Sequence, residues 1–96
     1  MNTLEKLMNW YASNCDGDWE HSFGVKIDTL DNPGWTIQVD IAETELSGKR
    51  FDEMDIQRSE TNWIYCTVSD GVFKGAGGTS NLEELIKVFL TWAEIS

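Results

Sequence analysis

The chain has 96 residues, 41% hydrophobic and 11% aromatic, with 17 acidic against 7 basic side chains and a formal net charge of −10. This length gives one domain, spanning 1–96, with a modest core and little room for a deep enclosed active site, and the hydrophobic content argues against disorder. The acidity keeps the chain soluble, repels nucleic acid and anionic membrane, and speeds encounter with a basic partner. No apolar run approaches the ~20 residues that cross a bilayer, and Met1–Lys6 lacks the basic-then-apolar layout of a signal peptide. The expected location is therefore the cytoplasm, where Cys15 and Cys66 stay reduced.

Asn2 to Ser13 reads as a helix. Asn2 caps it, Glu5 completes a capping box, and Leu4, Leu7, Met8 and Tyr11 form its apolar face, with Trp10 off that stripe. Asn14 to Asp18 is a turn. Phe23, Val25 and Ile27 alternate with polar residues, as do Trp35, Ile37, Val39 and Ile41, so the two runs predict an antiparallel hairpin. Asn32-Pro33-Gly34-Trp35 fits a type II turn with Gly34 at positive φ. Ser47-Gly48-Lys49-Arg50 is the next turn, and Phe51 to Gln57 is a weakly patterned third strand. Asn62 to Ser69 is a better one, with Ile64, Cys66 and Val68 facing one side and Trp63, Tyr65 and Thr67 the other. Asp70-Gly71 is a hairpin turn. Val72 to Lys74 is a last short strand, which Gly75-Ala76-Gly77-Gly78 ends. Ser80 to Glu94 is a second helix with a Ser80/Glu83 capping box and a broad stripe from Leu82 to Ala93. The expected fold is α+β: an antiparallel sheet of four to five strands with the N-terminal and C-terminal helices packed on one face. If Ile64, Cys66 and Val68 lie under the helices, Trp63 and Tyr65 stand on the open face.

Few constellations carry chemistry. Asp16, Asp18, Glu20 and His21 resemble the start of a calcium loop, but the sixth-position glycine and the bidentate acid at the twelfth are missing. No metal or cofactor is expected. Cys15 and His21 lie across one turn, yet a reactive thiolate needs positive charge or a helix N-terminus, and Cys15 follows a helix C-terminus among carboxylates. Gly75–Ser80 opens a helix but lacks the lysine and spacing of a P-loop. What remains is acid plus aromatic. Seven acids (Asp40, Glu43, Glu45, Asp52, Glu53, Asp55, Glu60) face Lys49, Arg50 and Arg58 between positions 40 and 60. Carboxylates that steer and tryptophans that anchor suit a tight protein interface, and a solvated edge with a well-filled core reads equally well.

The pattern Trp10-Tyr11, Cys15-Asp16-Gly17-Asp18-Trp19-Glu20-His21, Gly24, Ile27 and Thr29-Leu30-Asp31-Asn32-Pro33-Gly34-Trp35 resembles the immunity protein 53 family of bacterial polymorphic toxin systems. Arg58-Ser59-Glu60, Trp63-Ile64, Gly71, Phe73, Gly75, Gly77, Asn81-Leu82-Glu83-Glu84, Phe89-Leu90 and Trp92 extend the resemblance over nearly the whole chain. It implies a non-enzymatic antidote that binds a cognate toxin and blocks it, and the acidic charge would steer a basic toxin such as a nuclease whose groove expects phosphates. The contact candidates are then Asp16, Asp18, Trp19, Glu20, His21, Asp31 and Trp35 in the motif loops, the acids Glu43, Glu45, Asp52 and Glu53, and open-face Trp63 and Tyr65. The tryptophans read equally well as fold-forming, with Glu20 and His21 tying loops together. Members of this family are sometimes labelled rhodanese-like sulfurtransferases. That chemistry needs a cysteine in a loop rich in amides and basic groups on a larger domain, whereas Cys15 lies in an acidic loop. A sulfurtransferase using Cys15 and a small-ligand module on the open face remain alternatives. An exposed sheet edge or aromatic face permits a dimer without requiring one.

Overall fold

The computed structural model describes residues 1–95. In chain order the elements are α1 (Thr3–Asn14), α2 (Trp19–Ser22), β1 (Val25–Leu30), β2 (Gly34–Asp40), β3 (Met54–Gln57), β4 (Trp63–Ser69), β5 (Val72–Gly77) and α3 (Leu82–Trp92). The five strands form one antiparallel sheet in the order β1-β2-β5-β4-β3. With both terminal helices over one face, this is the expected α+β architecture.

α1 starts as its sequence dictates. The Asn2 side chain accepts the Glu5 amide at 2.8 Å, and Glu5 accepts the Asn2 amide at 3.4 Å. Its buried face differs from the expected stripe. Leu7 and Trp10 are 4% and 5% exposed, whereas Leu4, Met8 and Tyr11 face solvent. The cause is the indole of Trp10, which meets Phe89 of α3 edge-on at 5.0 Å and Trp19 at 6.1 Å. The bulkiest ring on the helix takes the core position and rolls Leu4 and Met8 outward. The next segment also departs from expectation. Residues 19–22 form α2, Phe23 closes it by donating its amide to the Trp19 carbonyl, and the strand begins only at Val25.

The expected β1–β2 hairpin is present, with Leu30 opposite Gly34. Its turn is Asp31-Asn32-Pro33, and Gly34 is not a type II turn residue. It does not have the positive φ of Gly17, Gly48 and Gly71. It is the first residue of β2, where any Cβ would run into the Gly77 carbonyl. Close backbone approach, not turn geometry, selects glycine there. Asp70 and Gly71, with φ of 54° and 75°, make the expected tight β4–β5 turn, both residues in the left-handed region that a type I′ turn demands.

β5 does not stop at Lys74. It runs on through Gly75 and Gly77 as the central strand, paired with β2 on one side and β4 on the other. The glycines leave room for α3: a Cβ on Gly75 would stand 2.9 Å from Ile37 Cγ2 and 3.2 Å from Leu85 Cδ2. The cap of α3 is Asn81 rather than Ser80, and the helix ends at Trp92 rather than Glu94. Ile95 and Glu94 donate amides to the Leu90 and Thr91 carbonyls at 2.9 and 3.1 Å, with Glu94 at φ 60°, a Schellman ending. Ile37, Val39, Ile64, Cys66, Phe73, Leu85 and Phe89 are the largest fully buried side chains. Burying one such large apolar side chain stabilises the fold by about 1.5–3 kcal/mol. They fill the space between sheet and helices.

Candidate functional site

Strand alternation splits the sheet into two chemistries. Ile37, Val39, Ile64, Cys66 and Phe73 point to the helices and are buried. The intervening residues point to the face that no helix covers. Tyr65 stands there, 37% exposed, with Ala76 of β5 and Asp55 of β3 as its cross-strand neighbours. Trp63 lies one pleat further along β4, opposite Gln57, and is half-buried. Lys74 sits between Gln38 and Thr67. At the centre, Thr36, Gln38, Tyr65, Lys74 and Ala76 line an open hollow of about 150 Å³. The neighbouring Glu53 carboxylate holds the Tyr65 phenol above its ordinary pKa, with burial and the charge of Asp55 adding to the effect. The open face therefore carries an aromatic ring set against two carboxylates, as the alternation in β4 predicted for Trp63 and Tyr65. Asp55, Lys74 and Ala76 complete it. Nothing local marks these three, because strand order and register bring them there.

The motif loops do not converge. Asp16–His21 lies at the end of the sheet where Gly24, Asp40 and Gly71 meet, and Asp31 and Trp35 lie at the opposite end beside Thr79. The first loop is tied by its own acids. Asp16 Oδ1 accepts the amides of Asp18 and Trp19 at 3.0 Å each, and these bonds hold its carboxyl below the usual carboxylate range. Glu20 accepts the amides of Asp16 and Gly17 at 3.0 and 2.9 Å. Trp19 is 6% exposed, and its Nε1 donates to the Ala42 carbonyl at 2.9 Å. Trp35 is half-buried, with Nε1 donating to the Thr79 carbonyl at 3.0 Å. Asp18, His21 and Asp31 are exposed, as are Glu43, Glu45, Asp52 and Glu53 in the β2–β3 connection. Asp52 pairs with Arg50 at 2.9 Å, both in solvent, where such a pair contributes little.

The sequence reading missed a polar hub at the start of α3. Asn81 is 5% exposed. Its Nδ2 donates to Asn62 Oδ1 at 3.0 Å and to Glu84 Oε1 at 2.9 Å, while Arg58 grips Glu84 in two bonds of 3.0 and 2.7 Å. The Arg58 guanidinium, with help from Asn81, holds the Glu84 carboxyl below its ordinary range despite partial burial. The hub fixes the β3–β4 loop to the helix.

Neither cysteine has the surroundings of a nucleophile. Cys15 Sγ donates to the Tyr11 carbonyl at 3.3 Å, and the buried Cys66 thiol is pushed up to about 11, chiefly by desolvation. No group of three or more His, Cys, Asp or Glu among the described residues is placed to hold a metal ion.

An uncovered sheet face with an aromatic ring among carboxylates, on a small acidic α+β domain, defines a protein that offers a surface rather than an enclosed pocket. No curated protein and no solved structure matches the chain. The family model for immunity protein 53 matches residues 4–94, and the chain belongs to that family.

Proposed function

We propose that this protein binds a cognate toxin directly and neutralises it by occlusion, without catalysis of its own. Membership of an immunity-protein family over nearly the full chain carries this reading. The uncovered face is the proposed docking surface: Tyr65 and Trp63 anchor, and Glu53 and Asp55 steer together with the exposed acids Glu43, Glu45 and Asp52 of the β2–β3 connection. Asp18, His21 and Asp31 are peripheral contacts. Asp16, Trp19 and Glu20 act through the fold, and Trp35 holds the hairpin end. With 17 acids against 7 bases, the partner is basic, as a nuclease whose groove accepts phosphates would be.

The test is co-purification with, and protection against, the toxin encoded beside the gene. Tyr65→Ala is expected to weaken binding by about 2 kcal/mol, the size of a central aromatic anchor. Reversing the charges of Glu43, Glu45, Asp52 and Glu53 together is expected to slow association roughly tenfold or more and flatten its salt dependence. Cys15→Ser is expected to protect as well as the parent. A toxin that neither binds nor is blocked refutes the proposal, and protection that vanishes with the Cys15 thiol returns the sulfur-transfer alternative.

A further inference from the structure

The two edges of the sheet are unlike. β3 is four residues long, with exposed Asp55 in it and the acids Asp52 and Glu53 just before it. Such an edge repels another acidic strand. β1 is six residues long and exposed over most of its length. The Asp40 amide donates to the Gly24 carbonyl, and the Gly24 amide donates to Asp40 Oδ2, so both backbones turn toward each other here. By alternation Lys26, Asp28 and Leu30 also bond inward to β2. The amides and carbonyls of Val25, Ile27 and Thr29 therefore point out of the sheet with no strand to receive them; within the chain the Thr29 amide is held by Asp28 Oδ1 at 2.8 Å, a bond that an incoming strand displaces.

Apolar surface collects at the same edge. Six large hydrophobic side chains are exposed among the described residues, and Met1, Leu4, Met8, Tyr11 and Ile27 are five of them. Leu4, Met8 and Tyr11 of α1 and Val25 and Ile27 of β1 flank a groove of about 340 Å³ whose lining carries no charged side chain.

We infer that a second copy of this chain docks here, β1 against β1 in antiparallel register about a two-fold axis at Ile27. The charges select both the partner and the register. With the axis at Ile27, Lys26 of each copy faces Asp28 of the other, twice. These are non-hydrogen-bonded pairs, in which side chains come closest. An axis at position 26 sets lysine against lysine, one at 28 sets aspartate against aspartate, and axes at 25 or 29 leave the charges unmatched. Neither Lys26 nor Asp28 makes an ion pair among the described residues of its own chain. The same two-fold places Ile27 beside its copy and brings the two apolar α1 faces together over the junction. The product is an isologous dimer with a ten-stranded sheet, both helical layers on one side and both uncovered faces on the other. It does not depend on what those faces bind.

Sedimentation of the full chain across micromolar to millimolar concentrations tests this. The parent is expected to reach a mass twice 10.9 kDa. Lys26→Asp and Asp28→Lys each turn both cross-junction pairs into like charges, and each is expected to weaken the dimer about tenfold or more. The double swap restores opposite charges and is expected to restore the dimer. Far-UV circular dichroism checks that each variant is folded; both side chains are solvent-exposed. A parent that stays monomeric throughout, or a double swap no better than the single variants, overturns the inference. A monomeric parent whose toxin binding falls with Lys26→Asp assigns the edge to the toxin instead and overturns it equally.

Discussion

Replacing Trp19 with phenylalanine separates a fold-forming indole from a contact. The substitution removes the bond from Nε1 to the Ala42 carbonyl, 2.9 Å long, and leaves that carbonyl without its partner. This costs about 1–2 kcal/mol. It also withdraws part of a ring packed at 6.1, 6.0 and 5.9 Å from Trp10, Tyr11 and Phe23, for roughly another 1 kcal/mol of lost packing. The total, about 2–3 kcal/mol, is a large share of the ~5–15 kcal/mol that holds a domain together. For a chain this size it lowers the melting temperature by roughly 10–20 °C. Urea titration followed by far-UV circular dichroism measures it; indole fluorescence is avoided because the mutation changes the signal. Toxin affinity of the folded fraction is expected to stay near the parent's. A variant that keeps its urea midpoint but loses the toxin refutes the reasoning and returns Trp19 to the interface.

Gly75→Ala drives a methyl into Ile37 and Leu85 and is expected to destabilise by about 1–3 kcal/mol; unchanged urea midpoints would contradict the close packing of α3 on β5. Because the folded Glu84 carboxyl is held below its ordinary range, its contribution is full above the unfolded glutamate value of about 4.3 and is lost as pH falls through the lower folded value. The stability gap between the parent and Glu84→Gln is therefore expected to be widest near neutrality and to close in acid. A gap constant across that range would show that the Arg58 pair carries no charge-dependent stability.

Local chemistry made much of the fold legible. The Asn2–Glu5 box, the existence of the β1–β2 and β4–β5 hairpins, the Asp70-Gly71 turn and the alternation of β4 are written in neighbouring residues, although β1 starts later, its turn differs and β5 runs longer than expected. The failures share one cause: long-range packing decided them. Nothing near Trp10 says that Phe89 waits across the core, so of the expected stripe on α1 only Leu7 is buried, while Leu4, Met8 and Tyr11 are exposed. Gly34 looked like turn chemistry because Pro33 precedes it, while its true constraint, the Gly77 carbonyl, is far along the chain. Gly75 and Gly77 looked like a strand terminator, and only the arrival of α3 makes them the middle of a sheet. The surface divides in the same way. Trp63 and Tyr65 were readable from alternation, whereas Asp55, Lys74 and Ala76 join them through strand order. The acidic loop drew attention as a contact, yet much of its carboxylate chemistry is used on its own amides.

The glycine-lined track of β5 leaves α3 no latitude, so drift on that side of the sheet is punished at once. On the reverse side no helix covers Thr36, Gln38, Lys74 and Thr67, so substitution there meets fewer packing constraints. A protein that must keep pace with a changing adversary gains from that division: its scaffold can stay fixed while its outward vocabulary diversifies.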